Sequence, residues 1–500
     1  MKMSTDKDDK GCGSSTISST TTTGGEGGKE DLSVLLFSSA ASDKAQGNVS
    51  WCHDAVQITT SSHLHGRGLV VSQPIPAGTC LLQTSPTVHA DVLQVMRLYH
   101  NTTSSNHKSL EQIAETVLLK EMKRCIRNHP QTAASFLVLT TGEGSDDDDL
   151  GSSLNSFQNV VLGQGSEEDV QTIMSVRKNI TKEELLGIIR HNAFGPDFHN
   201  YARMERNFGS SCYHRILGLY PMAAMINHSC TPNVIRFFHQ ECMMVHSVRD
   251  IEAEEELVWS YLPPAQPYWN RSMQLNTKFG IEACTCRRCE LERAEAESFQ
   301  ERLQAALKAN GNGNSILLQL IDNPSQASSP SQEEEVQAVE WSNFMSRLET
   351  TIEDSFDNPV LRKSAQLGFL PICLQYWNVH CQQYPKIFDD SARDDEITQQ
   401  RQALQASILQ LHLCIVEWNL IGSTEHLSLL HFGYDLSKII QKQNTETKNS
   451  EYWIAQLQEA HRMRYGNIAN QGQRLRDLLI HTKGILRHPN GLENAKYPFL

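Results

Sequence analysis

Three cysteines lie within six residues, at Cys284, Cys286 and Cys289, and they constrain the fold more than any other local feature. This spacing lets one turn of the chain present several sulfurs to a single ion, and zinc takes four ligands in a tetrahedron. Most of the 13 cysteines are widely scattered, as is typical of a reducing compartment, where thiols are buried or bind metal. We therefore predict a zinc site in which this cluster supplies three ligands.

The fourth zinc ligand is not fixed by spacing. Cys230, Cys212 and Cys242 are candidates, and so is a histidine. The alternative is that the three clustered cysteines are incidental or redox-active.

The chain has 500 residues, more than the roughly 100–200 of one ordinary domain. Its composition differs from one segment to the next. Residues 1–47 are polar and Gly-rich, which predicts a disordered tail. Beyond residue 292 the pattern is helical, apart from a polar linker over 322–335. The net charge of −14 argues against a chain-wide nucleic-acid binder, and no stretch resembles a membrane span. We expect an intracellular protein, in the nucleus and/or the cytoplasm, without direct nucleic-acid or membrane binding.

Local patterns predict several elements. Apolar residues at three- and four-residue spacing predict a helix over 109–129, and a capping box at Thr181–Glu184 predicts a second helix. The Gly/Ser-rich, acidic stretch over 142–168 predicts a solvated loop. The β-rich runs 69–71 and 79–82 flank a Pro/Gly turn and predict a strand pair.

Two short motifs could bind a ligand. Asn227-His228-Ser229-Cys230 carries short hydrogen-bonding side chains, although alone it is more typical of a structural turn. Gly66-Arg67-Gly68 marks either a simple turn or a backbone that approaches a ligand closely.

The ordered set of motifs is more specific than any one of them. It resembles the SET-domain lysine methyltransferases, and most closely the SMYD branch. The motifs are Gly66-Arg67-Gly68, Asn192-Ala193-Phe194, Gly218-Leu219-Tyr220-Pro221, Asn227-His228-Ser229-Cys230, Glu255-Glu256-Leu257 with Tyr261, and the cluster Cys284/Cys286/Cys289.

The resemblance implies an α+β fold. It comprises a split β-rich SET core with a pseudoknot, a helical insert, a zinc-bound post-SET segment and an all-α C-terminal domain. The implied boundaries are 48–92 and 191–262 for the two parts of the core, 93–190 for the insert with its acidic low-complexity loop, 263–291 for the post-SET segment and 292–500 for the C-terminal domain.

The resemblance also implies a site. S-adenosylmethionine would be bound by Gly66, Arg67, Gly68, Asn192, Asn227 and His228. Phe194 would wall the substrate lysine channel, and Tyr261 would be the catalytic residue. Cys230 would join Cys284, Cys286 and Cys289 as the fourth zinc ligand.

The implied activity is methyl transfer to a lysine of a protein substrate, histone or non-histone. The attacking amine must be neutral, whereas free lysine has a pKa near 10.4, and an apolar aromatic channel would lower it. The alternative is a catalytically inactive SET-fold scaffold that recruits partners through its helical C-terminal domain. The presence of Asn227, His228 and Tyr261 together argues against the scaffold.

The sequence departs from the SMYD pattern in two informative places. SMYD proteins carry a MYND zinc finger inserted in the SET domain, and this finger is built from several cysteines. Cys125 is the only cysteine between Asp91 and Arg190, so we expect no such finger there. An aromatic residue usually stands just before the cysteine cluster, whereas here Phe279 is followed by four other residues before Cys284. Which side chain covers the lysine channel, and how many methyl groups are transferred, is therefore open.

Overall fold

The structure is a computed structural model. It describes residues 51–61, 66–102, 109–139, 154–161, 164–195, 216–239, 242–308, 338–370, 373, 395–443 and 449–466. The predicted tail over 1–47 and the predicted linker over 322–335 lie outside the described residues. Among the helices described, none combines the length and the apolar character that crossing a bilayer requires.

The described strands are short and form several small sheets. In chain order they are β1 (Trp51–Cys52), β2 (Val56–Ser61), β3 (Gly66–Val71), β4 (Cys80–Thr84), β5 (Val88–Asp91), β6 (Ala193–Phe194), β7 (Ile216–Leu219), β8 (Asn227–His228), β9 (Val234–His239), β10 (Cys242–Ser247) and β11 (Val258–Trp259). One sheet has the order β1-β4-β10-β9 and another the order β5-β7-β6, while β2 pairs with β3 and β8 with β11.

The predicted pairing of 69–71 with 79–82 is wrong. β3 pairs antiparallel with β2, whereas β4 pairs with β1 and β10. In the turn between β3 and β4, Gly78 has a φ of 80° and its N–H donates to the carbonyl of Ser247 at 2.8 Å. The Pro/Gly turn therefore carries the chain from one sheet to another and does not close a hairpin.

The segment between β5 and β6 is helical. Its described helices are α1 (Val92–Thr102), α2 (Leu110–Asn128), α3 (Pro130–Leu137), α4 (Leu154–Val161), α5 (Glu167–Val176) and α6 (Lys182–Asn192). α2 confirms the helix predicted over 109–129. α6 begins with the predicted capping box, in which Thr181 accepts from the backbone of Glu184 at 3.1 Å.

The solvated loop predicted over 142–168 is wrong in its second half. Residues 140–153 lie outside the described residues, but α4 follows and α5 begins at Glu167. Phe157, Val160 and Val161 are buried at helical spacing. These few apolar residues form one packed helix face inside an otherwise polar stretch, which the composition of the whole segment concealed.

Every described element after β11 is a helix. A short helix, α7 (Pro221–Ala224), precedes β8, and the later helices are α8 (Tyr268–Phe279), α9 (Arg287–Arg293), α10 (Ala296–Lys308), α11 (Ala338–Ser355), α12 (Pro359–Gly368), α13 (Asp395–Glu417), α14 (Thr424–Gln443) and α15 (Asn449–Tyr465). The mixture of small sheets and helices agrees with the predicted α+β class.

One apolar core joins the strands to the helical insert. Leu69 of β3, Leu118 of α2 and Trp259 of β11 all belong to it, and each is at most 2% exposed. This shared core fixes β3, β8 and β11 in relation to one another, and the candidate site lies where they meet.

Candidate functional site

Two short strands bring the Asn227–Cys230 segment beside Tyr261. β8 runs parallel to β11, with Asn227 opposite Val258 and His228 opposite Trp259. The pairing continues beyond the strands, because the N–H of Ser229 donates to the carbonyl of Trp259 at 2.9 Å. Segments about 30 residues apart in sequence thus become neighbours.

The hydroxyl of Tyr261 is held in one orientation. It donates to the carbonyl oxygen of Ile226 at 3.1 Å, directly before β8. Burial raises the pKa of this phenol to about 12, and the charge of Arg236 opposes that shift. The phenol therefore stays protonated at neutral pH and acts as a hydrogen-bond donor and acceptor, not as a base.

The ring of His228 bridges Tyr261 and the cysteine cluster. Its Nδ1 accepts from the backbone N–H of Tyr261 at 3.0 Å, and its Nε2 lies 3.3 Å from Sγ of Cys230. Since Nδ1 is an acceptor, the proton of the neutral ring is on Nε2 and points at the sulfur. Both ring nitrogens are thus engaged within the protein, and contact of His228 with a cofactor would come from its backbone.

Asn227 and Glu256 lie over the backbone of β3. Nδ2 of Asn227 donates to the carbonyl of Arg67 at 3.0 Å and to Oε1 of Glu256 at 2.8 Å. A Cβ added to Gly68 would lie 2.5 Å from Oε1 of Glu256 and 3.0 Å from Nδ2 of Asn227. The position therefore favours glycine, because the side chains of Glu256 and Asn227 pack against the backbone here. Gly66–Gly68 belong to β3, so the predicted turn is wrong.

The carboxylate of Glu256 is half-buried and has no cationic partner among the described residues. Burial raises its pKa, while the hydrogen bond from Asn227 opposes that shift. A desolvated carboxylate beside an amide is suited to bind a small cation such as an ammonium group. The only sequence signal was its place in the Glu255-Glu256-Leu257 motif.

Three other predicted cofactor residues turn their side chains elsewhere or have none. Gly66 pairs with Ser61 at the start of β3. The guanidinium of Arg67 lies 4.2 Å from the ring centroid of Phe157 in α4 and donates to the carbonyl of Val138. Nδ2 of the buried Asn192 donates to the carbonyl of Ile188 within α6.

Phe194 belongs to a group of aromatic rings. Its centroid lies 5.5 Å from that of Trp259 and 6.2 Å from that of Tyr220. The guanidinium of Arg236 lies over two of these rings, 4.9 Å from Phe194 and 4.5 Å from Trp259. Neither Trp259 nor Arg236 belongs to a motif, so the sequence did not indicate that they lie at this site.

The ring of Phe279 packs against the ring of Tyr261. It is the last residue of α8, and its ring centroid lies 5.0 Å from that of Tyr261. Gly280 ends the helix with a left-handed φ of 67°, a conformation that glycine adopts without strain. The four residues between Phe279 and Cys284 therefore do not remove an aromatic side chain from Tyr261.

The four predicted zinc ligands converge. The Sγ atoms of Cys230, Cys284, Cys286 and Cys289 all lie within 4.8 Å of one another, and those of Cys230 and Cys289 are 3.5 Å apart. Zinc–sulfur bonds of about 2.3 Å in a tetrahedron place sulfurs about 3.8 Å apart. The residues therefore fit a closed Cys₄ zinc site.

A buried cation faces this cluster. Arg271 is 0% exposed, and its guanidinium donates to Sγ of Cys230 at 3.3 Å and to Sγ of Cys289 at 3.7 Å. It also donates to the carboxylate of Glu292, which accepts from Arg288 as well.

Hydrogen bonds from the other three cysteines, together with Arg271, hold the pKa of Cys230 well below its ordinary value. The pKa of Cys286 is also lowered, to about 6, whereas hydrogen bonds within the cluster raise the pKa of Cys284 and of Cys289. Cys230 and Cys286 are thus suited to be thiolates, the form that binds metal.

Comparison with known proteins finds a family match for the segment that carries the candidate site. The family model for the SET domain matches residues 66–262, which include β3, β8, β11 and Tyr261. Residues 66–262 therefore match a SET domain. The match confirms the predicted resemblance, and the SET domain here contains both the Gly68–Asn227–Glu256 arrangement and the Tyr261 hydrogen bond.

The curated relatives that the chain matches include members of the SMYD branch. Histone-lysine N-methyltransferase SMYD3 of Homo sapiens is 26% identical over 188 residues, or 36% of this chain and 44% of that protein. N-lysine methyltransferase SMYD2 of Gallus gallus is 32% identical over 84 residues, or 17% of this chain and 19% of that protein. The chain thus spans less than half the length of these relatives.

A solved structure gives a weaker comparison with this chain. A crystal structure of the SET domain of LSMT bound to lysine and AdoHcy aligns over 90% of this chain and 96% of its own, with 13% identity and a TM-score of 0.26. A superposition at that score adds nothing to the argument for the fold.

Proposed function

We propose that this chain transfers a methyl group from S-adenosylmethionine to a lysine side chain of a protein, histone or non-histone. The observation that carries the proposal is the position of Tyr261. Its protonated hydroxyl is fixed on the carbonyl of Ile226, beside the Asn227–Glu256 pair and between aromatic rings.

Asn227 and Glu256 would bind the amino-acid end of the cofactor. With its Nδ2 already donating to Glu256 and Arg67, Asn227 offers Oδ1 as an acceptor. The Glu256 carboxylate supplies a negative charge for an α-ammonium group. The backbone of residues 66–68 and of Asn192 would complete the cofactor site, because the side chains of Arg67 and Asn192 are engaged elsewhere.

The cofactor supplies a methyl group on a positively charged sulfur. The protein's own residues orient the amine that attacks this carbon, exclude water and disfavour the charged form of lysine. We define the lysine channel as the site bounded by the rings of Phe194, Tyr261 and Phe279, with the buried Trp259 packed against Phe194. Such apolar walls lower the pKa of a bound lysine, and the Tyr261 oxygen can accept a hydrogen bond from the neutral amine. Correct positioning alone can contribute roughly 7–11 kcal/mol.

The four cysteines would hold one structural zinc ion. Zinc would fasten the segment after α8 to β8, and His228 links Cys230 to Tyr261 across 3.3 Å and 3.0 Å contacts. The proposed domain division places this segment over 263–291, after a SET core over 48–92 and 191–262 that surrounds the insert over 93–190. The helices over 292–500 would form a separate C-terminal domain, and residues 1–47 a disordered tail.

Labelled methyl transfer tests this proposal. Three proteins are compared, namely the purified chain, its Tyr261→Phe variant and the control Tyr452→Phe. The control alters a partly exposed tyrosine in α15. Each protein is incubated with labelled S-adenosylmethionine, core histones and fractionated lysate. We expect discrete labelled proteins with the wild type and the control, and labelling weakened at least tenfold by Tyr261→Phe. Cofactor binding without any labelling would favour the inactive scaffold, and absence of cofactor binding by folded, zinc-loaded protein would overturn the proposal.

A further inference from the structure

Arg236 places a guanidinium on the aromatic surface that would receive the substrate lysine. It lies 4.9 Å from the ring centroid of Phe194 and 4.5 Å from that of Trp259. Its strand, β9, holds it opposite Val245 in β10, so its backbone cannot move away without breaking that sheet. Cation–π contacts with two rings keep the side chain in this position.

The charge of Arg236 has no opposite charge paired with it among the described residues. Within the described part of the chain, no carboxylate forms an ion pair with it, and burial lowers its pKa to about 10. The guanidinium therefore remains charged at neutral pH while surrounded by apolar rings. A structural arginine in such a place would ordinarily be paired, as Arg271 and Arg288 are paired with Glu292.

We propose that Arg236 is a positioning and specificity residue that makes the lysine channel select the neutral amine of the substrate over its ammonium form. This inference rests on the proposed function, since it requires a lysine in the channel. Arg236 would not touch the transferred methyl group and would act through its charge.

The physical argument is like-charge repulsion in a poorly solvated place. A protonated lysine entering beside Phe194 and Trp259 would meet a second cation over the same rings. The neutral amine meets no such penalty, and it is also the form with a lone pair free to attack. In many enzymes a general base removes the proton, whereas here a fixed positive charge would favour its loss to water before reaction.

The groups that face Arg236 are neutral, so its positive charge is the main one at this position. Tyr261 is the titratable group whose charge interacts with it, and burial raises the pKa of that phenol to about 12, so it is neutral during turnover. Glu256 acts on Tyr261 in turn, and it lies on the Asn227 side. The partners from β6, β10 and β11, namely Phe194, Val245 and Trp259, do not titrate.

The pH dependence of kcat tests the inference, because at saturating substrate it reports the lysine pKa in the enzyme–substrate complex. Wild type is compared with Arg236→Met and Arg236→Gln, which remove the charge, and with Arg236→Lys, which keeps it. Arg127→Met, an exposed arginine in α2, is the control. Thermal unfolding and zinc content verify that each variant is folded.

We expect both neutral variants to move the acidic limb of the kcat profile upward by about 1–2 pH units, as follows from unit charges about 6–10 Å apart at an effective dielectric constant of about 20. Arg236→Lys and Arg127→Met should keep the wild-type profile. If wild type and a folded neutral variant are both active and their kcat profiles against pH superimpose, this inference is overturned, while the proposed function stands. A wild type that binds cofactor but labels no protein would overturn the proposed function, and with it the inference.

Discussion

The backbone N–H of Tyr261 donates to Nδ1 of His228 at 3.0 Å, and Nε2 of the same ring lies 3.3 Å from Sγ of Cys230. One imidazole thus connects the tyrosine of the candidate site to the cysteine cluster. This arrangement gives His228 two separable tasks, which are to hold the Tyr261 backbone and to orient a metal ligand.

Two substitutions of His228 should separate these tasks. In His228→Asn, Oδ1 can replace Nδ1 as the acceptor for Tyr261, but the contact with Cys230 is lost. In His228→Gln, the side-chain nitrogen can replace Nε2, but the acceptor for Tyr261 is lost. We expect His228→Gln to lower kcat about 10–100-fold and His228→Asn mainly to speed zinc release to a chelator.

The exposed residue His89 supplies the matched control for these measurements. His89→Asn should leave both the rate of methyl transfer and the rate of zinc release unchanged. Equal effects of His228→Asn and His228→Gln on both rates would contradict a divided role for the ring.

Metal analysis should find about one zinc ion per chain. Cys289→Ser removes one of four converging sulfurs and should reduce the zinc content to near zero, and it should lower the temperature of unfolding because metal binding is coupled to folding. Cys80→Ser, which alters a cysteine of β4 outside the cluster, should retain the full zinc content. Wild-type protein without zinc after purification in its presence would refute the Cys₄ site.

Removal of Arg271 should destabilise the protein strongly. Arg271→Met leaves the cysteine cluster without the buried cation that faces it and leaves Glu292 with Arg288 alone, so we expect the free energy of unfolding to fall by about 3–5 kcal/mol. The control is Arg124→Met, which removes a surface pair with Glu121 and should cost less than about 1 kcal/mol. Urea unfolding measures both, and a similar small loss in the two variants would show that Arg271 is dispensable.

Two buried histidines should make the helical part sensitive to acid. Nδ1 of His426 accepts from the N–H of Gly422 at 3.1 Å, so the proton of the neutral ring is on Nε2, which faces Nδ1 of His412 at 3.0 Å. Burial, together with the charge of His412, lowers the pKa of His426 well below its ordinary value. The unfolded chain binds this proton near pH 6.5 whereas the folded chain does not, so stability is full above that pH and falls below it.

We therefore expect the free energy of unfolding to fall between pH 7.5 and pH 5.5, with about 1.4 kcal/mol of the loss due to His426. His426→Asn keeps an acceptor for Gly422 but cannot titrate, so its loss should be smaller by that amount. His89→Asn should behave as wild type. If His426→Asn loses as much stability as wild type, the ring is already protonated in the folded state.

Local patterns predicted the local structure and some of the site. The helix over 109–129 and the capping box at Thr181 depend on neighbours along the chain, and the structure contains both. The ordered motifs identified the four converging cysteines and assigned His228 and Tyr261, which are in contact, to one site. The motif resemblance, and not the spacing of the cysteines, distinguished Cys230 from Cys212 and Cys242.

Long-range packing accounts for what was missed. β4 pairs with β10, which lies about 160 residues away, and not with the nearby run 69–71. No local signal in the sequence reveals this long-range pairing. Arg236 is one charged residue in an ordinary strand, and only the fold places Phe194 and Trp259 around it. Phe279 likewise reaches Tyr261 because α8 ends there.

Amino-acid analysis of the labelled product tests the central claim most directly. A protein labelled by the wild-type chain and methyl-labelled S-adenosylmethionine is hydrolysed, and the labelled amino acid is identified by chromatography and mass. We predict that the label is recovered as N-methylated lysine and that Tyr261→Phe reduces its yield at least tenfold, whereas Tyr452→Phe does not. Label recovered in another amino acid, or equal yields from wild type and Tyr261→Phe, would contradict the account.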